Sequence, residues 1–397
     1  MESTSDTKTQ AKLPSGFLYS GVTAGIKESG NSDLALISCP NGGRAGGAFT
    51  QNKFPATSVL YDKALCPLED FRAMVVNSGN ANAATGAQGE ANNLSMAAAV
   101  AGELKCAAEL VLTGSTGIIG QQLPIEKITR AIPQLVTSLQ ADPTPASVAI
   151  LTTDLTPKVA QGSIDFAGNQ YQTYGMTKGS GMIHPNMATM LGYVMTDAPL
   201  PKDINQLTKD LAEKSFNCIS VDGDTSTNDS FFVITSNKEF CPPEFESLLF
   251  DSLLQVSQDL AKQIAADGEG AKHLIHLEIS EAKDMVQAQD VLKAVLTSPL
   301  VKTAIHGQDP NWGRLMMAVG NGLSGEVSNP PISISICGVD VFKSGEPMTF
   351  DAKDLSTKMA AFDVVITVAL AQGTTSLLGW GCDLSREYIT INADYTT

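Results

Sequence analysis

The clearest periodicity in the chain runs through Phe245, Leu249, Leu253, Val256, Leu260 and Ile264, at spacings of 4, 4, 3, 4 and 4. That spacing places the six apolar side chains on one stripe of a helix, which DGEG (267–270) should stop. Beyond it the period changes to two. Ile275, Leu277 and Ile279 alternate with polar residues, as do Ile332, Ile334 and Ile336, and both runs predict strands. Further strands are expected at 364–370 and 388–391, with a helix over 282–297. Upstream, 35–39 and 73–76 are short runs of strand formers ended by turn signals. A loop at 77–86, a helix over 90–109, a Gly-rich turn at 113–120, a helix over 124–138 and a strand at 147–151 follow. A helix over 206–217 then leads to a strand end and loop at 220–229. Strands and helices mixed in both halves predict an α/β (α+β) layered protein without an internal repeat.

Composition narrows this picture. A chain of 397 residues can bury a large core and form more than one domain. A net charge of −16 argues against a nucleic-acid partner, which needs basic patches. Seven scattered cysteines without a CxxC pair read as reduced thiols, hence a cytoplasmic protein. Residues 1–15 are polar, show no basic-then-apolar leader and read as a flexible tail. The longest apolar run, 359–371, contains Asp363 and is too short to cross a membrane.

Candidate chemistry centres on KGSGMIHPNMATML (178–191), which sets the small Ala188 directly before Thr189. The Gly-Ser-Gly turn and the fixed φ of Pro185 can hold the following segment on one path. On such a path the Thr189 hydroxyl can attack the Ala188 carbonyl, and hydrolysis of the resulting ester cuts the chain. Thr189 then carries a free α-amine of pKa about 7.7–8, able to act as base for its own hydroxyl. The plainer reading is a buried Met-rich loop and strand. Only four histidines are present, and neither HExxH nor GxSxG occurs, so a His-assisted nucleophile has little support. His184 reads as a loop hydrogen-bonding residue or a catalyst.

Other segments carry two readings each. TGSTGIIG (113–120) is an oxyanion-hole candidate or a plain strand-to-helix turn. Lys178 is a solvated cation or a site for a substrate carboxylate. Glu269 is part of a helix-ending turn or a partner for an ammonium group. Asp222, Asp224 and Asp229 suggest either a divalent metal or capped turns. NADYTT (392–397) is a frayed tail or a segment that closes over a site.

The central segment resembles the self-cleavage motif of the ornithine acetyltransferase family of arginine biosynthesis, which also acts as glutamate N-acetyltransferase. The resemblance runs from about residue 16 to the last and takes in NSGNANAATG (77–86), DGDTSTND (222–229) and DPNWGR (309–314). The chain departs from the family with Ala84 where Cys is common, and with GEGAKH (268–273) where GEGATK is usual. The resemblance implies cleavage between Ala188 and Thr189 and Thr189 as nucleophile. It implies Thr116 and Gly117 as the oxyanion hole, and Thr153, Lys178, Thr189, Glu269, Asn392 and Thr397 as substrate contacts. It implies DPNWGR as structural support near the site, and no metal or cofactor. Some members accept acetyl-CoA as donor.

The expected reaction is a ping-pong transfer of acetyl from N2-acetylornithine to glutamate through acetyl-Thr189. A self-cleaved threonine amidase or aminopeptidase, with water as acceptor, is the alternative. The expected organisation is a larger nucleophile domain over 16–280 and a smaller α/β domain over 281–397. The mature pieces 1–188 (alpha) and 189–397 (beta) are expected to stay associated, and the resemblance implies a dimer of such two-piece units.

Overall fold

A computed structural model describes residues 12–184, 190–324 and 330–394. The chain opens with strands β1 (Leu18–Val22), β2 (Leu34–Phe49), β3 (Leu68–Asn80), β4 (Val111–Ile118), β5 (Lys158–Phe166), β6 (Asn169–Lys178) and β7 (Leu191–Thr196). After the two-residue β8 (Ile219–Ser220) comes β9 (Ser230–Thr235). Apart from β8 these form one sheet in the order β4-β3-β2-β9-β7-β6-β5, with β1 paired to β2. Then β10 (Leu274–Ala282), β11 (Ser333–Ile336), β12 (Val339–Lys343), β13 (Glu346–Pro347), β14 (Asp363–Ala369) and β15 (Thr375–Cys382) form a second sheet with β8 at its edge, ordered β13-β12-β11-β14-β10-β15-β8. The α/β layered class expected from the sequence is the one observed.

The helix read from the 4-4-3-4-4 period spans Pro243–Ala266, and all six of its stripe residues are buried. It packs against β5 and β6 of the first sheet and β15 of the second, so its apolar stripe belongs to a core shared by both. Burying a Leu or Phe side chain of this kind contributes about 1.5–3 kcal/mol. Elsewhere the strand alternation divides the core. Leu34 and Leu36 pack with helices Gly86–Leu104 and Ile125–Thr137, while Ala35 and Ile37 join a cluster that includes helix Thr144–Ala149.

Several expectations need correction. Residues expected as a strand at 147–151 lie largely in helix Thr144–Ala149. Asp142 Oδ1 accepts from the Thr144 N–H and hydroxyl, and Pro145 occupies the first turn, where its missing N–H costs nothing. Residues 388–391, also expected as a strand, belong to helix Arg386–Asp394. Ser385 Oγ accepts from the Tyr388 N–H and caps its start. The Gly-rich turn expected at 113–120 is strand as far as Ile118, paired in parallel with β3. Within it Gly117 (φ 132°) serves close approach, since a Cβ there would collide with the Gly79–Asn80 backbone. Likewise the loop expected at 77–86 begins as strand, because β3 continues to Asn80. DPNWGR lies off the cavity described below: Asn311 caps helix Trp312–Gly322, and Arg314 reaches the Leu300 carbonyl of the neighbouring helix.

Candidate active site

A cavity of about 450 Å³ opens where the C-terminal ends of β4 and β6 meet the loop before β9 and the turn after the long helix. Thr116, Gly117, Thr153, Lys178, Glu269 and Asn392 all line it. Ala188, Thr189 and Thr397 lie outside the described residues. The chain on either side of the Ala188–Thr189 pair is nevertheless located. Gly181 and Met182 before it, and Met190 and Leu191 after it, line the same cavity. Lys178 and Leu191 are register partners of β6 and β7.

Thr116 is buried near the end of β4, with Gly117 next to it. Their strand is held in place from both sides. Ser115 Oγ donates to Asn77 Oδ1 at 2.7 Å, and Asn228 Nδ2 donates to the carbonyls of Ser115 (2.8 Å) and Ala81 (2.6 Å). Asn77 in turn donates to the Asn80 carbonyl at 2.8 Å, and Asn82 N–H to Asn80 Oδ1 at 2.8 Å. Asn77, Asn80 and Asn82 of NSGNANAATG thus satisfy polar backbone around the strand end, a buried arrangement that needs such partners.

Lys178 is 9% exposed. Burial pulls its pKa down, and Lys158 adds to that; Asp154, Glu269 and Asp229 pull it back up. Among the described residues no carboxylate closes an ion pair with it, whereas Asp154 is paired at 2.7 Å with Lys158, which also pairs with Asp267. Asp154 further accepts from the Gly179 N–H at 2.6 Å and the Thr152 N–H at 3.0 Å. Burial pushes the Asp154 carboxyl up, but Lys178, Lys158 and the Gly179 N–H outweigh it and hold the pKa at about 2. Asp154 is therefore an ionised strut between the two lysines.

Glu269 comes from the turn that ends the long helix. Its N–H donates to the Ser180 carbonyl at 2.9 Å, and Asn392 Nδ2 donates to its Oε2 at 2.8 Å. A Cβ on Gly181 would come within 2.5 Å of the Glu269 carboxylate, so a larger residue there would push that side chain aside. Thr153 Oγ1 lies 2.7 Å from Ser180 Oγ, joining the segment around Asp154 to the same turn. Asn392 sits on helix Arg386–Asp394 and not on a frayed tail.

The Asp-rich loop works as caps. Asp222 accepts from the N–H groups of Met182 (2.6 Å), Ile183 (2.8 Å) and Asp224 (3.2 Å), and Thr225 Oγ1 donates to the His184 carbonyl at 2.7 Å. His184 Nδ1 is 3.3 Å from Ser220 Oγ. The chain at 182–184 is thereby held by side chains from 220–225. Sequence reading missed Tyr388, whose phenol stands on the cavity wall in the field of Asp222. Burial, then Asp222, Glu269 and Asp224, push that phenol well above its ordinary pKa, so it remains a neutral donor on the cavity wall. The Asp154–Lys158 pair was also missed, although its i,i+4 spacing was in plain view.

The residues present suit acyl chemistry: a hydroxyl and a backbone N–H at a strand end, a buried ammonium, and a carboxylate opposite.

Comparison with known proteins gives a consistent answer. A profile of the ArgJ family matches residues 18–397. The arginine biosynthesis bifunctional protein ArgJ of Prochlorococcus marinus (strain NATL2A) is 41% identical over 398 residues, covering 97% of this chain and 94% of that one. Its counterpart in Dehalococcoides mccartyi (strain CBDB1) is 42% identical over 392 residues, covering 97% and 96%. A crystal structure of the arginine biosynthesis bifunctional protein ArgJ from Bacillus halodurans is similar at a TM-score of 0.49 and 40% identity, over 52% of this chain and 100% of that one. The chain belongs to the ArgJ family over nearly its whole length, as its resemblance to the ornithine acetyltransferases of arginine biosynthesis implied.

Proposed function

We propose that this protein is a glutamate N-acetyltransferase of arginine biosynthesis that moves acetyl from N2-acetylornithine to glutamate. Thr189, freed by cleavage after Ala188, attacks the acetyl carbonyl carbon, and its α-amine takes the hydroxyl proton. The oxyanion forms against the Thr116 hydroxyl and the Gly117 N–H, which stabilise it where charge develops. The C–N bond then breaks, the proton passes to the leaving amine, and ornithine departs. The α-amine of glutamate attacks the acetyl-Thr189 ester through a second oxyanion in the same place, regenerating the hydroxyl. Dividing the exchange this way avoids bringing three reactants together. Lys178 takes the α-carboxylate that both amino acids share, while Glu269, with Asn392 on its Oε2, receives an ammonium group. Acetyl-CoA is a second possible donor, and cytoplasm is the expected location. No helix among the described residues is long and apolar enough to cross a membrane.

One observation carries this reading: six residues scattered from 116 to 392 line a single cavity, together with the chain on both sides of Ala188–Thr189. Intact mass after incubation with N2-acetylornithine tests it. Two pieces are expected, with one acetyl added to the piece that begins at Thr189 and removed again by glutamate. Ornithine released steadily without glutamate, and no adduct, would point to the hydrolase instead.

A further inference from the structure

On the far side of the Glu269 turn, three side chains distant in the sequence converge. His273 stands where that turn leads into β10, His306 ends helix Pro299–His306, and Asp383 follows β15 directly. His306 Nδ1 lies 2.7 Å, and His273 Nδ1 3.3 Å, from the same oxygen, Asp383 Oδ2. The other oxygen, Oδ1, accepts from the backbone N–H groups of Lys272 (2.8 Å) and His273 (3.0 Å). The Asp383 side chain is fully buried and that of His273 nearly so, while the His306 side chain is 35% exposed. Among the described residues this is the one group of His, Cys, Asp and Glu side chains whose ligand atoms lie close enough to share an ion.

We infer that His273, His306 and Asp383 form a binding site for a divalent transition-metal ion, with zinc the expected occupant. Two imidazoles and one carboxylate are a donor set that borderline metals take, with a fourth position left to water. Bonds of about 2.0–2.2 Å at tetrahedral angles set ligand atoms about 3.3–3.5 Å apart. The His273–Asp383 separation already meets that spacing, and His306 must withdraw by about half an ångström. Both imidazoles bind as neutral rings, each giving its Nδ1 lone pair and carrying its proton on Nε2. Asp383 supplies the compensating charge, and the two N–H groups on its Oδ1 orient it as outer partners of metal ligands do. The half-open side at His306 provides entry and room for the water.

The site is a tie and not a participant in acetyl transfer. It joins the turn that bears Glu269, the end of the Pro299–His306 helix, and the junction from β15 into the helix that bears Asn392. Ser385 Oγ, donating to the Gly270 carbonyl at 2.7 Å, closes the same corner from the other side.

The test is zinc and cobalt uptake by the purified full chain after chelator stripping, beside His306→Gln, whose amide still donates to Asp383 but offers no imidazole. The wild type is expected to bind one zinc per chain, to melt at a higher temperature with it, and to give the visible spectrum of tetrahedral cobalt with nitrogen and oxygen ligands. His306→Gln is expected to bind at least about a hundredfold more weakly, beyond the range seen for losing an outer partner. Should that variant fail to fold, His273→Gln is measured in the same way. The inference is overturned if the wild type takes up no zinc at micromolar concentration or if the variant binds equally. A thiolate-to-cobalt charge-transfer band would overturn it too, by placing the metal on cysteine.

Discussion

Lys178 is a buried cation ringed by carboxylates of which none among the described residues closes an ion pair with it, and that arrangement supports the proposed contact with a substrate carboxylate. Asp154, the nearest of these in effect, is occupied by Lys158 and the Gly179 N–H, which under the proposed function leaves the Lys178 ammonium to the substrate. Replacing Lys178 by Met removes a charged hydrogen bond worth about 1.5–3 kcal/mol. The expected result is a fall in kcat/KM of roughly 10- to 100-fold for both acetylornithine and glutamate, measured in steady-state kinetics. Thr116→Val keeps the shape of its buried position and removes the hydroxyl. It should lower kcat by about 100-fold with KM little changed, the signature of a donor used in the transition state. Asp154 contributes to acid stability. Its folded pKa of about 2 lies below the ordinary 3.8, so its contribution is fully present above 3.8 and is lost as pH falls through 2. That contribution is about 2 kcal/mol. Unfolding free energies measured from pH 5 downward should fall less steeply in Asp154→Asn than in the wild type.

At the scale of elements, the helix Pro243–Ala266 holds the two sheets together. Leu253 lies fully buried on its stripe, and Leu253→Ala should cost about 2–5 kcal/mol through lost transfer energy and the cavity left behind. A denaturant titration checks this. The same helix was the most legible part of the sequence, because six apolar residues at helical spacing outweigh any local ambiguity. The elements that misled were short. Residues 147–151 and 388–391 are runs of four or five residues whose composition suits a strand, and side chains outside the run favour helix: Asp142 accepts from the Thr144 N–H and Ser385 from that of Tyr388. β15 was missed because its glycines weaken a strand signal. Both are there for room: a Cβ on Gly379 would collide with the Cys218 carbonyl, and one on Gly381 would press on that of Ser220.

For the whole molecule, a cut between Ala188 and Thr189 falls between two neighbours of one sheet. β6 and β7 remain paired across residues 173–178 and 191–196, and β7 is also bound to β9. The two pieces should therefore elute together in gel filtration and separate only under denaturing conditions. Thr189→Ala should run as one full-length chain on a denaturing gel, and a variant that still splits would show that the nucleophile lies elsewhere.

The sequence by itself determined the layered class, the long helix and the alternating strands, because each is written in local period, and its contiguous strings pointed to the family. It also named Thr116, Gly117, Thr153, Lys178, Glu269 and Asn392, through resemblance to a family. What it did not hold was their common address. The parallel register of β3 and β4, the packing of the Glu269 turn that follows the long helix, and the helix that brings Asn392 and Tyr388 to the same wall are long-range pairings. So is the meeting of His273, His306 and Asp383, which no spacing announces. Such groups lie far apart along the chain, and only the packing of two sheets about a shared helix brings them within bonding distance.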